Sequence, residues 1–197
     1  MNKHYDPHFK KDIITIHPGE YYTSKEDIYI ATVLGSCISV ALYDIKESFG
    51  GMNHFMLPKS SRDDTLSSAD EGRFGNFAME LLINDMIKSG SIKKNLRAKV
   101  FGGGNVLEGG NSQLNTTGIN NINFALDYLK QEGIPVIVND TGGIFPRKIF
   151  FNPLTSKVYL KRIQKRGHSV EQIKQRELEY KLQLQEKKAE TGDIIWF

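Results

Sequence analysis

A chain of 197 residues, 39% apolar and 25% charged, has the length and composition of one soluble globular domain with an appendage. No apolar run approaches the ~20 residues of a membrane span, and the opening segment lacks the apolar stretch of a secretion signal, so the expected compartment is the cytoplasm and no membrane insertion is expected. The 26 basic and 23 acidic residues are interspersed and leave a net charge of only +3, which argues against a nucleic-acid partner. With a single cysteine no internal disulfide can form, and Cys37 is either a small buried apolar residue or a reactive thiol.

Residues 1–12 are polar and expected to be loose. Residues 13–17 and 28–34 are rich in β-branched and aromatic side chains between Pro18, Gly19 and Gly35, and read as strands. From Ile38 the apolar Ile38, Val40 and Leu42 alternate with Ser39, Ala41 and Tyr43, and a second run over 52–57 follows the Gly50-Gly51 turn signal, so a hairpin is expected. Residues 58–72, dense in Ser, Asp and Lys, read as a surface loop bordering a site. Over 73–89, Phe74, Phe77, Ala78, Leu81, Leu82 and Met86 recur at helical spacing, which predicts one buried face ending at Gly90.

Residues 98–101 predict a short buried strand leading into Gly102-Gly103-Gly104, 122–131 a helix capped by Gly133, and 134–138 a further strand. Residues 148–163 hold two alternating runs around Asn152-Pro153 and suit a closing hairpin. Strands and helices are mixed, and the main domain is expected over 13–163. Beyond it, 169–190 is a mixed-charge helix with Val170, Ile173, Tyr180 and Leu184 in a thin stripe, and 192–197 end in Ile-Ile-Trp-Phe.

A thiol becomes a useful nucleophile when an imidazole accepts its proton, and Cys37 is followed seventeen residues later by His54 across the expected hairpin. Cys37 follows Leu34-Gly35-Ser36 where one strand gives way to the next. Small residues there let a substrate backbone approach and leave amide N–H groups near Gly35, Ser36 and Cys37 free to hold an oxyanion. His54 sits beside Asn53, a further residue expected near the substrate. His4, His8, His17 and His168 have no metal-ligand spacing with one another or with Cys37. The triple glycine is not followed by Gly-Lys-Ser/Thr, which argues against a nucleotide loop.

The blocks Thr32-Val33-Leu34-Gly35-Ser36-Cys37, Gly51-Met52-Asn53-His54-Phe55-Met56-Leu57-Pro58 and Lys99-Val100-Phe101-Gly102-Gly103-Gly104 together resemble the hallmark blocks of the CheD chemoreceptor deamidases. Pro18-Gly19-Glu20-Tyr21, Gly118 with Asn121, and Asp140-Thr141-Gly142-Gly143 leading into Pro146-Arg147-Lys148 are similar too. The resemblance spans 13–163 and leaves 164–197 as a C-terminal helix and apolar tail outside it.

It implies a single-domain, compact α/β/β sandwich related to that of deamidating toxins. It also implies hydrolysis of selected glutamines on the helical cytoplasmic domain of methyl-accepting chemotaxis receptors, through a Cys37 thioester with His54 as base and without metal or organic cofactor. Methylesterase action by the same chemistry, or service as a non-catalytic regulator docking on a CheC-type phosphatase, are the alternatives. In the family's pattern the threonine completing the triad lies six residues before the cysteine, which is Ala31 here, whereas Thr32 lies five before. Since one step along a strand reverses the face, either a bulge brings Thr32 to the site or the Ala31 carbonyl orients His54, with Thr32 the preferred candidate.

Overall fold

The computed structural model describes residues 1–57, 68–105, 116–163 and 168–191. Two five-stranded sheets stack face to face. One has the order β1-β2-β4-β9-β10, from Asn2–Asp6, Lys11–Thr15, Tyr29–Leu34, Arg147–Phe151 and Val158–Arg162. The other has the order β3-β6-β5-β7-β8, from Tyr21–Ser24, Gly50–Asn53, Ile38–Asp44, Leu96–Gly102 and Val136–Thr141. Helices α1 (Ser68–Lys88) and α2 (Thr116–Gln131) cover the outer face of the second sheet, with α1 on β3 and β6 and α2 on β5, β7 and β8. This is the α/β/β layering expected from the resemblance, with a third helix, α3 (His168–Thr191), added at the C-terminal side.

The layering follows from strand periodicity. On β5 the side chains of Ile38, Val40 and Leu42 join Met79, Leu82, Ile83, Met86, Ala125 and Leu129 under the helices, while Cys37 and Ala41 join Leu34, Met52, Met56, Ile149 and Phe151 between the sheets. Burial of each such large apolar side chain contributes about 1.5–3 kcal/mol. β5 is therefore buried on both faces, rather than on the single face that its alternation with Ser39 and Tyr43 suggests.

Other differences from the sequence reading have local causes. Residues 2–6, in the segment expected to be loose, pair antiparallel with β2 from Asn2↔Thr15 to Asp6↔Lys11 as a polar edge strand, held by backbone bonds that need no apolar pattern. Residues 68–72 of the expected loop are already helical in α1, while 58–67, the side chain of Phe74 and the tail 192–197 lie outside the described residues. On α1 the buried stripe is Met79, Leu82, Ile83 and Met86, and Phe77 is 62% exposed. The helix is apolar on two faces, and its spacing alone does not say which one the sheet takes.

Candidate active site

His54 follows β6 and is fixed from both sides along its backbone: its N–H donates to the Glu20 carbonyl (2.9 Å) and its carbonyl accepts the Gly19 N–H (2.8 Å). The Pro18-Gly19-Glu20-Tyr21 block thereby sets where the imidazole enters the space between the sheets. The ring is buried, and its Nδ1 lies 2.7 Å from Thr32 Oγ1. That hydroxyl gives its one proton to the Ile16 carbonyl at 2.9 Å. It can therefore only accept from the ring, so Nδ1 carries the hydrogen and Nε2 presents a bare lone pair. Nε2 is buried, and among the described residues nothing hydrogen-bonds it. Burial, with His17 nearby, pushes the His54 pKa down to about 3, which keeps the imidazole neutral at ordinary pH.

The sequence left open whether Thr32 or Ala31 meets His54. β4 pairs with β9 without a register break from Ile30↔Phe151 to Leu34↔Arg147, so no bulge is involved. Ordinary alternation turns Ile30, Thr32 and Leu34 toward the space between the sheets and Ala31 toward a cluster with Ile13 and Tyr29 on the opposite face. The Ala31 carbonyl is taken by the Ile16 N–H (2.9 Å).

Cys37 comes from the turn between β4 and β5. A bridge in which Ile38 and Phe55 exchange both backbone bonds at 2.9 Å continues the β5–β6 pairing past the end of β6. Its register puts Ser39 opposite His54 and Cys37 diagonally across from it on the same face, a relation in which Cα atoms stand about 7–8 Å apart and long side chains meet. The thiol is fully buried.

The turn itself is held by the glycine run: Gly103 N–H donates to the Cys37 carbonyl and Gly104 N–H to the Gly35 carbonyl, both at 2.7 Å. At Gly102, with φ +113°, a Cβ would stand 2.1 Å from the Cys37 carbonyl oxygen, so only glycine fits. Asn121 of α2 ties the turn to the strand carrying His54, donating to the Ser36 carbonyl and accepting from the Leu57 N–H, each at 2.8 Å. Close packing, rather than a nucleotide, accounts for the triple glycine.

With its carbonyls so engaged, the turn points the N–H groups of Gly35, Ser36 and Cys37 toward one spot. The Glu177 carboxylate of α3 occupies it, accepting from Gly35 N–H (2.9 Å), Ser36 N–H (3.1 Å), Cys37 N–H (3.2 Å) and Ser36 Oγ (2.8 Å). Burial and this neighbouring carboxylate raise the Cys37 thiol well above its ordinary pKa. The sequence reading missed Glu177. Its signal was a gap: the stripe Ile173, Tyr180, Leu184 skips the position one turn after Ile173, and Glu177 fills it, buried.

Asn53, expected near the substrate, has both ends of its amide engaged inside the protein. Its Oδ1 accepts Val40 N–H (2.9 Å) and its Nδ2 donates to the Ala78 carbonyl (3.1 Å), which docks α1 on the sheet. Among the described residues no group of three or more His, Cys, Asp or Glu could hold a metal ion, and no helix is long and apolar enough to cross a membrane.

Fold and site together define the class: an α/β/β sandwich whose sheets bring a cysteine and a hydroxyl-tethered histidine onto one buried face, beside converging backbone N–H groups. The chain belongs to the CheD family. The family model described as CheD chemotactic sensory transduction matches residues 56–162. A Shewanella oneidensis protein named probable chemoreceptor glutamine deamidase CheD 1 is 46% identical over 196 residues, covering 100% of this chain and 93% of that protein. Proteins named probable chemoreceptor glutamine deamidase CheD from Herminiimonas arsenicoxydans and a Janthinobacterium species are 42% and 41% identical, each covering 100% of this chain and 94% of their own length.

Proposed function

We propose that the chain is a cytoplasmic protein-glutamine deamidase that converts glutamines of methyl-accepting chemotaxis receptors to glutamates, with Cys37 as nucleophile, His54 as base and Thr32 as the residue that orients the base. The observation that carries this reading is the contact of His54 Nδ1 with a Thr32 hydroxyl whose own proton goes to the Ile16 carbonyl, from which the tautomer of His54 follows. With Nδ1–H committed to Thr32, the buried Nε2 has nothing to do but accept a proton, and Cys37 is the acid on its face.

In this reading His54 takes the Cys37 proton as the thiolate attacks the glutamine δ-carbon, and the N–H groups of Gly35, Ser36 and Cys37 receive the oxyanion. His54 returns the proton to the leaving nitrogen, which departs as ammonia. Water then gives a proton to His54 and attacks the thioester, releasing glutamate and the free thiol. Dividing amide hydrolysis into acylation and deacylation lowers each barrier, and no cofactor takes part. The names of the relatives point to the same substrate. Residues 13–163 form the deamidase domain in this account, and 164–197 are an extension.

The acyl-thioester route would also accept a receptor methyl ester. Ammonia and methanol released from an amidated and a methylated receptor cytoplasmic fragment separate the two activities. Ammonia release that is abolished in Cys37→Ala is the expected result; ammonia release equal in both proteins would overturn the reading.

A further inference from the structure

We infer that α3 lies in the groove that receives the substrate helix, as a tethered product analogue whose Glu177 stands where the newly formed glutamate would stand. The inference deepens the deamidase reading and rests on it. A glutamate carboxylate is the product of glutamine deamidation, and the Glu177 carboxylate is seated on all three N–H groups of the Gly35–Cys37 turn, on a helix as the expected substrate is.

Two further observations mark the groove as built for a helix. A Cβ at Gly35 would stand 2.7 Å from the Glu177 carboxylate, and one at Gly19 would stand 2.8 Å from the Tyr180 hydroxyl, so both glycines make room for side chains of this helix. Ile173 and Glu177 line a cavity of about 60 Å3 with Thr32 and His54, which leaves space beside the imidazole. Further along α3, Tyr180 and Leu184 line an open cleft of about 350 Å3 with Tyr21, Phe55, Phe77 and Leu81, continuous with the groove.

The stripe then supplies a specificity rule. A substrate helix presents its glutamine with apolar side chains four residues before and three and seven residues after it, as Ile173, Tyr180 and Leu184 flank Glu177. While α3 is docked, the oxyanion donors are occupied and the thiol is covered, so α3 and the receptor helix exclude one another.

If Glu177 sits at the product position, a glutamine there is a substrate. In Glu177→Gln the Cys37 sulfur would bond to the side-chain δ-carbon, ammonia would leave with the proton held by His54, and water would cleave the thioester to restore Glu177 and the thiol. Intact mass and peptide mapping of the full-length Glu177→Gln chain over time, beside Glu177→Gln/Cys37→Ala, read this directly. Receptor-fragment deamidation by Glu177→Ala and Glu177→Ala/Cys37→Ala is measured in parallel. Conversion of position 177 back to glutamate in the single variant and not in the double one is expected, with Glu177→Ala deamidating the fragment about tenfold faster than wild type. A stable glutamine at 177, with Cys37-dependent activity on the fragment, would overturn the inference and leave the deamidase reading standing. No Cys37-dependent deamidation in either assay would overturn both.

Discussion

The two halves of the site are completed in different ways. Around His54 every polar group except Nε2 has a partner supplied by the sandwich itself: Gly19 and Glu20 hold the backbone, Thr32 holds Nδ1 and Ile16 holds Thr32. Around Cys37 the carbonyls are held by Gly103, Gly104 and Asn121, but among the described residues the three N–H groups are satisfied through Glu177, on the C-terminal helix α3. In the proposed reaction the base is preorganised within the core, whereas the oxyanion side holds donors for something that comes and goes. Donors that must meet a charge formed during reaction cannot be permanently spent on the sandwich.

The largest effect expected from breaking this contrast lies on the His54 side. Thr32→Val leaves Nδ1 without its acceptor and frees the tautomer, and kcat on a receptor fragment should fall about 10–100-fold, the loss typical when the group orienting a histidine is removed. Thr32→Ser keeps the hydroxyl and should recover most of that loss. Equal activity in Thr32→Val and wild type would mean that packing alone orients the ring. On the Cys37 side, Glu177→Ala removes a carboxylate that holds the thiol protonated and uncovers it. Alkylation of Cys37 by iodoacetamide at neutral pH should accelerate about tenfold, which corresponds to about 1.4 kcal/mol. An unchanged rate would show that α3 does not control access.

A separate effect is on stability. Folded His54 has a pKa of about 3 against an ordinary 6.5, so below pH 6.5 the unfolded chain binds a proton that the folded chain refuses. This penalty is absent above pH 6.5 and grows by about 1.4 kcal/mol per pH unit as pH falls from 6.5 toward 3. Urea denaturation between pH 7 and 5 should show a shallower loss in His54→Gln than in wild type; parallel curves would place His54 in a solvated setting.

The strands were legible where runs rich in apolar and β-branched residues lie between turn signals, as on β4, β5 and β9, and so was the Cys37/His54 grouping, whose members share a face once the hairpin register is drawn. Thr32 was legible as chemistry but not as position. Its face depends on the register of β4 against β9, which pairs residues more than a hundred apart. Polar β1 carried no periodic signal because it buries no apolar face. Glu177 was hidden because a buried carboxylate on an otherwise apolar helix stripe looks like a surface residue until the N–H groups it meets, about 140 residues earlier, are known.

The most direct test is residue-mapped deamidation of a receptor cytoplasmic fragment by wild type, Cys37→Ala and His54→Ala. The expected result is conversion of a restricted set of glutamines by wild type, with both variants slower by at least about 100-fold. Conversion of the same glutamines at wild-type rates by either variant would contradict it.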